Sequence, residues 1–227
     1  MKNSVKNREK KGVAAGIGLL LAFVLWTVLI RCVDVRPVGQ NGTDIGFAAV
    51  NVWFHGLTGV HMRLYVLTDW LGLVPIAVCV FFGALGLVQL IRRRSLVRVD
   101  PDILLLGVYY IVVILAYLLF EMIPINYRPI PIDGVMEASY PSSTTLLVLS
   151  VMPTLVFQAN RRLRGRAARL AVAVPAVLFS AGMVLGRLVS GVHWLTDIIG
   201  AVLLSAGLFV LYRSCVILTD RKREVRP

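Results

Sequence analysis

"LAVAVPAVLFSAGMVLGRLVSGVHWLTDIIGAVLLSAGLFVLYR", Leu170 to Arg213, is the stretch that decides how this chain folds. Two apolar runs, 170–188 and 194–213, flank a short connection that carries Arg187, His193 and Asp197. Each run, coiled as a helix, is long enough to cross a hydrocarbon layer of about 30 Å. An ionisable group at the edge of such a segment is costly to leave unpaired. Three of them so close together need a purpose.

The rest of the chain has the same character. Of 227 residues 58% are hydrophobic and 16% charged, with a mean hydropathy of +0.80. That is more apolar surface than a soluble domain of this size can hide. Further apolar runs at about 12–31, 70–91, 103–123 and 143–160 bring the spans to six. The expected fold is one all-α integral membrane bundle over residues 1–227. Alternating ten-residue segments of the outer-membrane barrel type are absent. Pro153 and Pro175 fall inside spans, where neighbouring helices can satisfy the freed carbonyls. The first run, "GVAAGIGLLLAFVLWTVLI", ends at Arg31-Cys32 without a small-x-small cleavage site and reads as a retained span. Cys32, Cys79 and Cys215 are scattered and form neither a metal-binding nor a disulfide pattern.

A net charge of +12 would raise nucleic acid as a partner for a soluble protein; here topology accounts for it. Lysines and arginines crowd the amino-terminal tail (Lys2, Lys6, Arg8, Lys10, Lys11) and the second-to-third connection (Arg92, Arg93, Arg94, Arg98). They also crowd the fourth-to-fifth connection (Arg161, Arg162, Arg164, Arg166, Arg169) and the carboxyl tail (Arg213, Arg221, Lys222, Arg223, Arg226). The positive-inside rule makes that side, with both termini, the cytoplasm. The expected partner is the bilayer with its anionic headgroups, not nucleic acid. Arg31, Arg36, Arg63, Arg128 and Arg187 are left on the other side. There the connection 32–69 holds Phe47, Trp53, Phe54 and Tyr65 and suits an interfacial amphipathic helix. The connection 124–142 has four prolines and should lack a long helix. His55 and His61, six apart with no cysteine or carboxylate cluster nearby, are poor metal ligands. Gly16, Gly18, Gly83, Gly86, Gly182 and Gly186 read as close helix-packing points.

The outward pieces form a constellation. Residues four apart share a helix face, so Asp197 is expected to reach one imidazole nitrogen of His193 and fix its tautomer. The other nitrogen is then free as a nucleophile. Arg187 can turn its planar fork toward the same region, a geometry suited to a phosphoryl group. "NYRP" adds Arg128. "YPSSTT" places Ser142, Ser143 and Thr144 at the start of the fourth span, whose free N–H groups and positive dipole end make an anion site. Each piece alone has a plainer reading: an interfacial histidine, a headgroup arginine, an ordinary helix start.

With these residues the sequence resembles the type 2 phosphatidic acid phosphatase (PAP2) superfamily of membrane phosphatases. Its signatures are Lys-x6-Arg-Pro, Pro-Ser-Gly-His and Ser-Arg-x5-His-x3-Asp. The third matches as Arg187, His193 and Asp197, with Gly186 where serine is usual. The first keeps Arg128-Pro129, with Glu121 at the lysine position. The second keeps Pro141-Ser142, with Ser143 for glycine and Thr144 for histidine. The likeness covers about residues 103–213. It implies a six-helix phosphohydrolase without metal or cofactor, acting on a phosphorylated lipid at the outer face of the cell membrane through a phosphohistidine. By the same likeness His193 attacks phosphorus and Asp197 orients it, while Arg128, Arg187, Ser142, Ser143 and Thr144 hold phosphoryl oxygens. The family's general-acid histidine is missing. A diphosphate expels a phosphate monoester, a better leaving group than an alkoxide, so polyprenyl diphosphate is the expected substrate. Glu137 or Asp133 is a candidate proton donor, and Glu121 is expected to pair with an outer arginine. A phospholipid-binding homologue without activity and a phosphoryl or headgroup transferase are the alternative readings.

Overall fold

The computed structural model describes the backbone of residues 2–224 and the side chains of residues 9–220. The side chains of Lys2, Lys6, Arg8, Arg221, Lys222, Arg223 and Arg226, which contribute to the orientation argument, lie outside the described residues. The chain forms α1 (Lys2–Cys32), α2 (Ala48–Thr58), α3 (Met62–Leu71), α4 (Leu73–Arg93), α5 (Pro101–Met122), α6 (Ser143–Arg162), α7 (Arg166–Val189) and α8 (Leu195–Glu224). No strand occurs among the described residues, and six helical segments are long and apolar enough to cross a membrane.

Three spans differ from the hydropathy reading, the first because α1 already begins at Lys2. The second begins at Met62, because α3 and α4 run on as one segment through Gly72. The Gly72 N–H donates to the carbonyls of Thr68 and Asp69 at 3.1 and 3.0 Å, so helical bonding crosses the junction. Arg63 and Asp69 hid that extension from a pattern of apolar residues. The sixth helix likewise continues past Arg213 to Glu224. Elsewhere local chemistry sets the ends. α4 stops at Arg94, whose left-handed φ of 51° closes the helix with an N–H to Leu90 O. Pro101 starts α5 at a position where its missing N–H costs nothing.

α8 runs beside α1 and also packs on α6 and α5, while α6 is wedged between α7 and α8. The window of α6 has the lowest mean hydropathy of the six spans, 1.2, and half of it is buried. That pairing has a physical cause: α6 carries polar groups that hydrocarbon cannot satisfy, so they turn inward. Tyr109 donates to Ser150 O at 2.9 Å, Tyr110 shares a 2.8 Å bond with Thr154 and Gln158 donates to the Tyr212 hydroxyl at 2.6 Å. Close approach uses small residues. A Cβ on Gly16 would stand 2.7 Å from Leu211 Cγ, and one on Gly86 3.1 Å from Ile103 Cγ2. Gly18, Gly83 and Gly182 face open space, contrary to the packing expected of them. Small residues at helical spacing do not say which face meets a neighbour.

The ends of α1, α5 and α7 meet the starts of α3, α6 and α8 at one end of the bundle, and the arginine-rich connections lie at the other. α2 packs on α8 at the first of these ends. Its Asn51 is buried against α8, while Trp53 and Leu57 are 65% and 69% exposed.

Candidate active site

The proline-rich connection folds back on itself as a short hairpin. Ser139 N–H donates to Asn126 O at 2.9 Å and Arg128 N–H to Glu137 O at 3.1 Å. Its turn is Ile132-Asp133-Gly134-Val135, with φ of 49° at Asp133 and 77° at Gly134. Positive φ at both central residues matches the right-handed twist of a hairpin, and Asp-Gly is a preferred pair there. The fold sets Arg128 beside Glu137 and brings Asn126 and Ser139 under the start of α8.

Between α7 and α8 the chain turns through Ser190–Trp194. Gly191 has φ +70°, and a Cβ there would stand 2.0 Å from Gly59 O, so only glycine fits. His55 donates from Nε2 to Gly191 O at 3.1 Å and lies against Trp194, which is a structural role. Asn51 completes the support: its Oδ1 accepts the Thr196 N–H at 3.3 Å and its Nδ2 donates to Thr196 Oγ1 at 3.1 Å.

His193 is not on the helix. Asp197 Oδ2 accepts the Trp194 N–H at 2.9 Å, closing the first turn of α8 just after the histidine. Its distance to His193 Nδ1 is 3.9 Å, so the expected direct hydrogen bond is not made. Ser139 fills the gap: its hydroxyl donates to Asp197 Oδ2 at 2.5 Å and stands 3.1 Å from His193 Nδ1. The Ser139 carbonyl is 3.2 Å from the same nitrogen. A carbonyl only accepts, so the ring proton sits on Nδ1 and the lone pair on Nε2. Asn126 donates to Asp197 Oδ1 at 3.2 Å and holds the carboxylate from its other side.

Two guanidinium groups stand near the imidazole. Arg187 and Arg128, 1% and 7% exposed, place their guanidinium carbons 4.8 and 5.7 Å from the centre of the Tyr65 ring. Arg187 spends Nη2 on Asp69 Oδ1 at 2.8 Å and on Thr144 Oγ1. Its Nε and Nη1, Arg128 Nη1 and His193 Nε2 are buried with no hydrogen-bond partner. Buried polar atoms are rarely left so, and several together mark a place for a ligand. Burial first, then the charges of Arg128 and Arg187, hold the His193 pKa well below its usual 6.5. The imidazole is therefore neutral at neutral pH.

A cavity of about 180 Å³ opens beside this group, lined by residues that include Tyr117, Glu121, Arg128, Glu137, Ser143 and His193. Ser142 is fully buried, bonded to Thr145, and gives its N–H to Asp197 O at 3.2 Å; its hydroxyl serves the helix start. Ser143 is at the cavity wall, and Thr144 points to Arg187. Glu121, expected to pair with an outer arginine, makes no ion pair among the described residues and stands on the cavity wall. Glu137 Oε2 is 3.0 Å from Arg128 Nε. Asp133 sits at the exposed hairpin tip, outside the cavity. Gly186, in the usual serine position, is also explained: a Cβ there would stand 2.7 Å from Thr68 Cγ2, because α3 packs directly on α7.

Sequence reasoning missed Ser139, Asn126, Tyr65 and Asp69 as parts of this site, and named Glu137 as a candidate proton donor without its contact to Arg128. The Asp133-Gly134 turn was the one available signal, since it folds 124–132 back along 135–142; the observed register, with Tyr127 opposite Ala138, is shifted from the one that turn alone would set.

Comparison with known proteins agrees with this arrangement. The family model of the PAP2 superfamily matches residues 102–220, more than half of the chain, which therefore belongs to that superfamily. Among solved structures, the chain is similar to that described as the first transmembrane PAP2-type phosphatidylglycerolphosphate phosphatase from Bacillus subtilis. The TM-score is 0.64 at 17% identity, covering 93% of this chain and 98% of that one. At that identity the likeness establishes the fold, a multi-pass membrane bundle. No curated protein matches the sequence.

Proposed function

We propose that the protein is a metal-independent lipid phosphatase that works through a phosphohistidine at the extracytoplasmic face of the cell membrane. The observation that carries this reading is the buried, unpartnered His193 Nε2 beside guanidinium edges that also lack partners. With its proton held on Nδ1 by Ser139, the ring offers Nε2 to phosphorus without first losing a proton. Arg128 Nη1 and the Nε–Nη1 edge of Arg187 stabilise the charge that develops on the phosphoryl oxygens, the main source of rate in such transfers. The P–O bond to the leaving group breaks as the P–N bond forms, and water then cleaves the phosphohistidine to release inorganic phosphate.

Thr144 is engaged with Arg187 and supplies no acid to the leaving group. A polyprenyl diphosphate, which expels a phosphate monoester, is the favoured substrate on that ground. Glu137, on the cavity wall, is better placed than Asp133 to give a proton where one is needed. The distribution of arginines supports an outward-facing site with both termini in the cytoplasm.

Phosphate release by full-length protein in detergent micelles tests the reading, with undecaprenyl diphosphate and phosphatidate as substrates. Wild type should release phosphate without an added alcohol acceptor, and His193→Ala should fall to background. Equal background release from both proteins indicates a phospholipid-binding homologue. Release only with an added alcohol acceptor indicates a transferase. Faster cleavage of phosphatidate overturns the diphosphate preference.

A further inference from the structure

A second cavity, about 760 Å³ and far larger than the one beside His193, opens on the flank of the bundle and shares no lining residue with it. α7 and α8 are joined through 190–194 but touch little along their length, and α6, packed on both, floors the gap between them. Along α6 the groove runs from Leu149 to Asn160, about 16 Å at the rise of an α-helix. Hydrocarbon is about 30 Å thick, so this is the depth of one leaflet. The walls are apolar. Ser180, midway along α7, spends its hydroxyl on Ala176 O at 2.8 Å and asks nothing of an occupant. Unspent polar groups stand at the end with the arginine-rich connections: Asn160 from α6 and Arg213 from α8. The Asn160 side chain has no hydrogen-bond partner among the described residues. Arg213 keeps 38% of its side chain exposed, and Glu9 Oε2 stands 3.7 Å from its Nη1, beyond hydrogen-bond length. Arg164 and Arg166, exposed and without ion pairs among the described residues, add positive charge at the same end.

We infer that this groove binds an anionic phospholipid of the leaflet at that end, with its phosphate on Arg213 and Asn160 and one acyl chain laid between α7 and α8. Length argues for a lipid. A helix of another chain, or of a second copy, must cross both leaflets and needs a groove about twice as long. Charge argues for an anionic one: the open fork of Arg213, with Arg164 and Arg166 nearby, complements a headgroup of net negative charge. Position separates it from the lipid of the proposed reaction, whose phosphoryl group sits beside His193 at the opposite end of the bundle. The bound chain fills the gap between the helix that carries Arg187 and the helix that follows His193.

Full-length protein is stripped of lipid in micelles, and binding of phosphatidylglycerol and of phosphatidylcholine with the same acyl chains is followed by native mass spectrometry. Both are phosphodiesters, so the proposed hydrolysis consumes neither. Wild type should bind one phosphatidylglycerol about fivefold more tightly than phosphatidylcholine, the usual gain from one arginine near an anionic headgroup. Arg213→Gln should lose that preference. Because Arg213 also stands beside the buried Glu9, a second variant leaves that pair intact. Ala181→Trp, on the exposed wall of α7, fills the groove without removing a contact. It should weaken both lipids by about tenfold, the loss expected when about two methylenes lose their burial. Equal binding of the two lipids by wild type would overturn the inference, as would undiminished binding to Ala181→Trp. So would a wild-type dimer that Ala181→Trp abolishes, which would make a second copy the occupant. A raised KM for undecaprenyl diphosphate in Ala181→Trp, with phosphatidylglycerol binding unchanged, would give the groove to the substrate's chain and overturn it too.

Discussion

Arginines gather with carboxylates at both ends of the bundle, and the two clusters are wired differently. At the end with the arginine-rich connections, Asp102 Oδ2 receives Arg162 Nη1 at 2.8 Å and Arg161 Nε at 3.3 Å. Arg161 also reaches Asp220 at 2.8 Å, and Arg162 bonds Gln158. No buried nitrogen of that cluster lacks a partner. At the other end, Arg128 and Arg187 are more deeply buried and keep N–H groups with nothing to bond. The same residue types thus make a closed clamp in one place and leave open donors in the other. What separates them is whether the protein itself satisfies the buried donors, because an unsatisfied one costs about 1–3 kcal/mol and persists where a ligand takes it up.

The sharpest way to break this contrast is Arg187→Lys. A lysine keeps the charge but loses the fork and the stack on Tyr65, so phosphate release should fall about 100- to 1,000-fold, the usual cost of removing a transition-state donor. Unchanged kinetics would reduce Arg187 to a mere counter-charge for Asp69. Ser139→Ala comes next. It deletes the hydroxyl between His193 and Asp197 but leaves the backbone carbonyl on Nδ1, so kcat should drop about tenfold with KM little moved. A change in KM alone would contradict a positioning role.

The pH profile carries a smaller signature. Burial and the two arginines disfavour the imidazolium, so the neutral form, the nucleophile of the proposed reaction, survives as pH falls through the ordinary value of 6.5. The acid limb of kcat/KM, which reports the free enzyme, should lie below that value. A limb at or above it would show that His193 is better solvated than its surroundings imply. Asp102→Asn should affect activity least. It weakens the clamp and lowers thermal stability, yet phosphate release per folded molecule should stay within about twofold, as expected of distant, independent sites. A large loss of turnover would mean that the two ends are coupled.

Much of this was open to a reader of the sequence. Apolar runs of helical length determine the spans, since the backbone can be satisfied in hydrocarbon only by coiling on itself. The spacing of Arg187, His193 and Asp197 is local too, and it drew Arg128 and Ser142 toward the same end. Asp197 was legible as a neighbour of the histidine, though its contact was assigned wrongly, because His193 lies two residues before the helix that would have aligned them.

What the tertiary structure alone decided is who occupies the space between those residues. Ser139 is 54 positions from His193 and Asp69 is 118 from Arg187, distances in the chain that no periodicity spans. The hairpin and the packing of α3 onto α7 bring them together, and packing then determines which donors find partners within the protein. Sequence names the groups able to hold a phosphate; only the folded bundle leaves Arg128 Nη1, Arg187 Nε and Nη1, and His193 Nε2 unpaired, because pairing depends on geometry between segments that are remote in the chain.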